Sequence, residues 1–133
     1  ATLFGVILTA CSTTESLDGT SWAMTSYRDS QGNLTEILPE TIVTADFQAD
    51  QVSGNVTCNN YSGAYQTTGN QIKIGPLATT LRECVGPDGI MQQESAFLMA
   101  MEAAAQYEIK ADILEMADDQ GATILTFKKA TSE

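Results

Sequence analysis

A single change of period constrains what this chain can fold into. From residue 17 to residue 127, apolar residues recur at every second position in short runs closed by turn residues, except between residues 88 and 105, where they recur at helical spacing. Alternation buries one face of each run and wets the other, and closely spaced runs of this kind fold as antiparallel hairpins. Trp22 and Met24 share a face of a first strand that ends near Arg28, before the turn Asp29-Ser30-Gln31-Gly32-Asn33. Val43, Ala45 and Phe47 alternate, Ala49-Asp50-Gln51 turns the chain, and Val52, Gly54 and Val56 return as the second arm of a hairpin. Tyr61, Gly63 and Tyr65 pair in the same way with Ile72 and Ile74 across Thr68-Gly69-Asn70, and Gly75-Pro76 stops that run. Two closing strands follow, Tyr107 to Lys110 leading into Ile113 to Met116, then the turn Asp118-Asp119-Gln120-Gly121, then Leu125 and Phe127.

The helical stretch carries Ile90, Met91, Phe97, Leu98, Met101, Ala104 and Ala105 on one stripe, with Asp88 as the expected N-cap and Ala96, Ala100 and Ala103 as strong helix formers. Its methionines suit a core-facing helix or, alternatively, a ligand-binding surface. One helix wrapped by about eight antiparallel strands is the α+β arrangement implied, because a sheet curled around a helix buries both apolar faces without a second domain.

Composition removes whole classes of function. The 133 residues make one ordinary domain, and 43% hydrophobic with 17% charged residues is globular. The formal net charge of −11 opposes approach to phosphate backbones, so nucleic acid is not an expected partner. Histidine is absent from the sequence. Ser-His-Asp and Cys-His nucleophilic sites, H-E-x-x-H zinc hydrolysis and two-His-one-carboxylate iron are therefore impossible within one chain. No cofactor and no metal site are expected. Asp118 and Asp119 lack the remainder of a calcium loop and read as a solvated turn.

The amino terminus reads differently. Residues 3 to 10, Leu-Phe-Gly-Val-Ile-Leu-Thr-Ala, form an uncharged apolar run too short to span a bilayer but fit for part of a signal peptide. Leu8-Thr9-Ala10-Cys11 resembles the bacterial lipobox, in which the cysteine is lipidated and becomes the mature terminus. The expected division is a truncated lipoprotein signal at 1–11, a polar tether at 12–17 and a folded domain at 17–129. Ser12 beside the lipidated Cys11 resembles the pattern of lipoproteins sorted to the periplasmic face of the outer membrane. The structural alternative is a buried strand ending in a core cysteine.

With Cys11 assigned to lipid, Cys58 and Cys84 remain as a candidate disulfide in an oxidising compartment, or as two thiols too far apart to bridge. Closing a loop of about 26 residues would stabilise the fold by roughly 3 kcal/mol in the chain-entropy model.

Several segments in order are similar to one family. Leu17-Asp18-Gly19-Thr20-Ser21-Trp22 looks like an L-x-G-T-x-W opening, and residues 54 to 65, Gly-Asn-Val-Thr-Cys-Asn-Asn-Tyr-Ser-Gly-Ala-Tyr, look like a cysteine-asparagine-tyrosine-glycine signature. Ile74-Gly75-Pro76-Leu77-Ala78-Thr79-Thr80, Cys84, Met91-Gln92-Gln93-Glu94 and Phe97-Leu98 extend the match, which resembles the META/HslJ domain of bacterial envelope and heat-inducible proteins. The resemblance implies a cracked β-barrel around one helix, similar to secretion pilots that hold an acyl chain, and it implies no reaction. Thr57 departs from the family, which usually has glycine there; if that glycine has positive φ, threonine is strained. Asn59, Asn60 and Tyr61 then read either as turn caps beside the disulfide or as a binding rim.

The function expected is a membrane-anchored, non-catalytic envelope module for a protein or lipid-like ligand, in stress response or in assembly. A barrel interior fully packed by Trp22, Phe47, Tyr65 and Phe97 would count against the lipid. The alternatives are an enzyme built on Glu83 and Glu94 with Tyr61, or a spacer lipoprotein.

Overall fold

The computed structural model describes residues 16–83 and 85–130. The expected leader, the lipidation site Cys11, most of the tether and Cys84 lie outside the described residues. In chain order the elements are β1 (Thr20–Arg28), β2 (Leu34–Glu36), β3 (Thr44–Gln48), β4 (Gln51–Asn55), β5 (Asn60–Thr68), β6 (Gln71–Ile74), β7 (Ala78–Thr79), α1 (Ile90–Ala103), β8 (Gln106–Lys110), β9 (Ile113–Ala117) and β10 (Thr123–Lys129).

Eight of these strands close into an antiparallel barrel in the order β1, β3, β4, β5, β6, β8, β9, β10, with β10 pairing back to β1. The eight strands and one helix match the sequence expectation. The short β2 and β7 add to β1 and β5 outside the ring. The ring is thinnest between β6 and β8, which share the single register pair Gln71 with Gln106, flanked by the bonds Ile72 N to Ala105 O (3.0 Å) and Tyr107 N to Asn70 O (2.9 Å). The ring is nonetheless closed there, so the crack that the resemblance implied is reduced to a short seam.

Alternation decides which side chains fill the interior. Ala45 and Phe47 of β3, Tyr61 and Tyr65 of β5, Ile72 and Ile74 of β6, and Leu114 and Met116 of β9 are buried while their strand neighbours are not. In β1 the alternation slips once. Met24 opposes Phe127 and Ser26 opposes Thr126, so Thr25 is an extra residue, and Tyr27 rather than Ser26 then turns inward. Gly54 has no substitute, because a Cβ there would lie 2.1 Å from the Thr44 carbonyl oxygen.

The two ends of the barrel are built differently. At one end the chain arrives at Thr20 and leaves after Lys129, and three hairpins turn in two residues each, between Gln48 and Gln51, Thr68 and Gln71, and Lys110 and Ile113. Ala49 N bonds the Asp18 carboxylate (3.0 Å), and Lys129 N bonds Asp112 O (2.8 Å), tying the chain ends to these turns. The other end carries the turns at 29–33 and 118–122, the loops at 37–43 and 56–59, the segments 80–83 and 85–89, and α1.

Helix α1 contacts β1 and β10 on one side and β6 on the other, so it lies across this second end as a plug. Its buried face is Ile90, Gln93, Phe97, Ala100 and Met101. Phe97 stands edge-on to Tyr61 and Phe127, with ring centroids at 5.2 and 6.5 Å, and is fully buried. Burying a ring of this size stabilises by about 2–3 kcal/mol. Two expectations for the helix are corrected. It starts at Ile90 with Gly89 (φ 91°) at the N-cap and no side-chain cap, so Asp88 does not cap it. A left-handed residue is available at Gly89 without Cβ strain, which sets the first turn one residue later. Met91, expected on the inner stripe, is 40% exposed, and the polar Gln93 is buried instead.

Candidate functional site at the helix end

The residues between Val56 and Tyr61 organise the helix end. Val56 accepts the amide of Cys58 (3.1 Å), a three-residue γ-turn whose centre is Thr57 at φ 78°. A β-branched residue is strained there, as the family comparison of the sequence anticipated. Two bonds hold it: Asn55 Oδ1 accepts Thr57 N (2.6 Å), and Thr57 Oγ1 donates to Ile42 O (3.1 Å).

Asn59 is buried, and its amide is fully engaged. Its Nδ2 donates to Arg82 O (3.1 Å) and Glu94 Oε1 (2.9 Å), while its Oδ1 accepts Arg82 N (2.7 Å) and the Thr80 hydroxyl (2.9 Å). One side chain thus fastens the start of β5 to the 80–82 loop and to α1. Tyr61 points into the barrel, and its hydroxyl donates to Thr44 O (2.6 Å). Burial, with the Asp46 charge adding to it, pushes its pKa far above the ordinary tyrosine value, so it stays neutral. Of the residues proposed as a binding rim, Asn60 alone is exposed, while Asn59 and Tyr61 act inward. The carboxylates considered for catalysis fall in separate settings: Glu83 is exposed in the loop, Glu94 accepts from Asn59, and Tyr61 is committed to Thr44.

Gln93, missed in the sequence, does for the 37–43 loop what Asn59 does for the 80–82 loop. Its Oε1 accepts Leu38 N (2.8 Å) and its Nε2 donates to Thr41 Oγ1 (3.0 Å). The spacing Ile90, Gln93, Phe97, Ala100 was a visible signal, since a polar residue on an apolar stripe is retained only with its bonds made. A third fastening joins two turns through the ion pair Arg28 Nη1 to Asp118 Oδ2 (2.8 Å). Asp118 is held below the usual carboxylate range by the backbone N–H of Ala122, aided by Arg28 and the Gln120 N–H. Asp29 is lowered likewise by the N–H of Asn33 and the Thr35 hydroxyl, then by the amides of Gln31 and Gly32.

Beside the helix runs a groove of about 540 Å³, walled by Tyr27 to Ser30 on one side and by Met91, Ala96, Met99 and Ala103 on the other. A second, of about 460 Å³, lies outside the barrel between Met24, Ile37, Ile42 and Lys128. The interior aromatics Trp22, Phe47, Tyr65 and Phe97 are at most 5% exposed and line neither groove. Six of the seven large exposed apolar side chains among the described residues, Leu34, Ile42, Leu81, Val85, Met91 and Met99, belong to the helix end; the seventh is Ile113. Charge does not divide so cleanly: Lys110 and Lys129 lie toward the hairpin end beside Asp18, Asp50, Glu108 and Asp112, Lys128 borders the second groove, and Asp29, Glu83, Asp88, Glu94, Asp118 and Asp119 stand at the helix end with Arg28 and Arg82.

Comparison with known proteins places this arrangement. The family model for the META domain matches residues 15–131. Among solved structures, an NMR structure of a protein from Burkholderia xenovorans is 24% identical with a TM-score of 0.71, covering 87% of this chain and 85% of that one. A crystal structure of a DUF4847-family protein from Bacteroides vulgatus is 14% identical with a TM-score of 0.63, covering 88% of this chain and 96% of its own. These likenesses establish the fold. No curated protein sequence matches the chain.

Proposed function

The chain belongs to the META domain family, and from that membership we propose a lipid-anchored, non-catalytic binding module of the cell envelope. The observation that carries the reading is the gathering of exposed apolar side chains at the helix end, opposite the end where the chain arrives. An anchor on Cys11 would hold the hairpin end toward the periplasmic face of the outer membrane and leave the helix end facing outward.

A protein partner is favoured over a lipid-like ligand, because Trp22, Phe47, Tyr65 and Phe97 pack the interior where an acyl chain would sit. The carboxylate enzyme loses support from the separate settings of Glu83, Glu94 and Tyr61. A disulfide from Cys58 to Cys84 belongs to the proposal. Asn59, next to Cys58, fastens Arg82, two residues before Cys84 in sequence. The spacer alternative predicts no partner at all.

Photo-crosslinking in the cell tests the reading, with a reactive side chain placed at Met99 or at Asp112. A discrete adduct from Met99 and none from Asp112 is expected. No adduct from either position would leave the spacer standing. Palmitate labelling that is lost in Cys11→Ala tests the anchor separately.

A further inference from the structure

We infer that the groove between α1 and residues 27–30 receives a cationic amphipathic segment of a partner protein. The inference rests on the binding-module reading and gives its partner a chemistry.

The walls fix the shape of the occupant. Ser95, Ala96, Ala100 and Ala103 keep one wall low, so a helix or extended segment can approach closely, and Met91 and Met99 stand beside them at 40% and 73% exposure. Methionine has an unbranched, polarizable side chain that remoulds around differing apolar partners, which suits a docking surface better than a rigid core. The opposite wall is formed by Tyr27, Arg28, Asp29 and Ser30. An apolar face laid into such a groove is the helix-in-groove mode of recognition.

The surrounding charge selects the sign. Arg28 is already neutralised by Asp118, Asp29 lines the groove and no lysine does, and the helix end as a whole carries more carboxylates than cations. A basic segment gains from that field, and its approach is steered by it. A second copy of this chain would bring the same acidic rim and a net charge of −11, so self-association is opposed. An anionic membrane surface is opposed for the same reason.

Methyl-labelled methionines in the full chain read the site directly, since Met91 and Met99 are exposed while Met24, Met101 and Met116 are buried controls. The probe is a synthetic helical peptide of leucine on one face and lysine on the other, compared with its scrambled isomer and with a version carrying glutamate for lysine. The expected result is movement of the Met91 and Met99 methyls with the patterned cationic peptide, about tenfold weaker binding at high salt, and about fivefold weaker binding in Met99→Ser. Met99→Ser changes no charge and removes no buried group, so loss of folding does not imitate the result. Equal binding of the scrambled isomer, preference for the glutamate version, or silent methyls overturns the inference. The binding-module reading stands or falls apart from this, on the crosslink from Met99.

Discussion

The hairpin end and the helix end of this barrel are held together by different means. At the hairpin end, three two-residue turns, with Ala49 and Asp50 both in the left-handed region in one of them, hold neighbouring strands by backbone bonds that each hairpin makes on its own. At the helix end, order depends on single polar side chains that reach across the sequence: Asn59 to Arg82 and Glu94, Gln93 to Leu38 and Thr41, Arg28 to Asp118. Local turns are tolerant, because losing one leaves the rest intact. Long-range fastenings are not, since one truncation strands several buried partners at once. A surface whose loops are fixed by a few side chains can vary in the loops without rebuilding the barrel.

That contrast can be broken or sharpened. The largest effect is expected for Phe97→Ala, which empties the place where α1 meets Tyr61 and Phe127. It should cost about 3–5 kcal/mol in urea unfolding and lower both ends together, because the ring is shared. Asn59→Ala should cost about 2–3 kcal/mol, and hydrogen exchange should quicken at Arg82 and in the first turn of α1 while the hairpin-end amides of Lys129 and Tyr107 keep their protection. Equal loss at both ends would abolish the distinction. Thr57→Gly should raise the unfolding midpoint by the equivalent of about 1 kcal/mol, since relief of the left-handed strain outweighs the lost bond to Ile42.

The smallest effect is in acid. Asp29 and Asp118 have pKa values depressed on folding, so their contribution is present above the ordinary carboxylate value and is lost as pH falls through the lower folded values. Protection factors, corrected for the intrinsic slowing of exchange in acid, should fall first in the 29–33 and 118–122 turns on acidification, and Asp118→Asn should remove the pH dependence of the second turn.

Much of the hairpin end was legible. Alternation and turn chemistry located its hairpins around Ala49-Asp50, Gly69-Asn70 and between Lys110 and Ile113, because both signals are local and add along the chain. The helix end was legible only in outline. β2 and β7 are three and two residues long, too short for a period to register. Asn59 and Tyr61 were picked out by their motif, yet whether they faced inward was decided by partners 17 to 35 residues away. The helix stripe was misaligned because hydrophobicity favoured Met91, whereas the fold buried Gln93 for the two bonds it could make.

The pairing of β1 with β10 has a consequence for how the molecule forms. Thr25 and Thr126 touch across 101 positions, so the ring cannot shut until its last strand has emerged, and every shorter nascent chain leaves β1 and β9 with a bare edge. Non-local closure of this kind is slow. Until then the apolar faces of β1 and β9 that the closed ring would cover stay open to solvent.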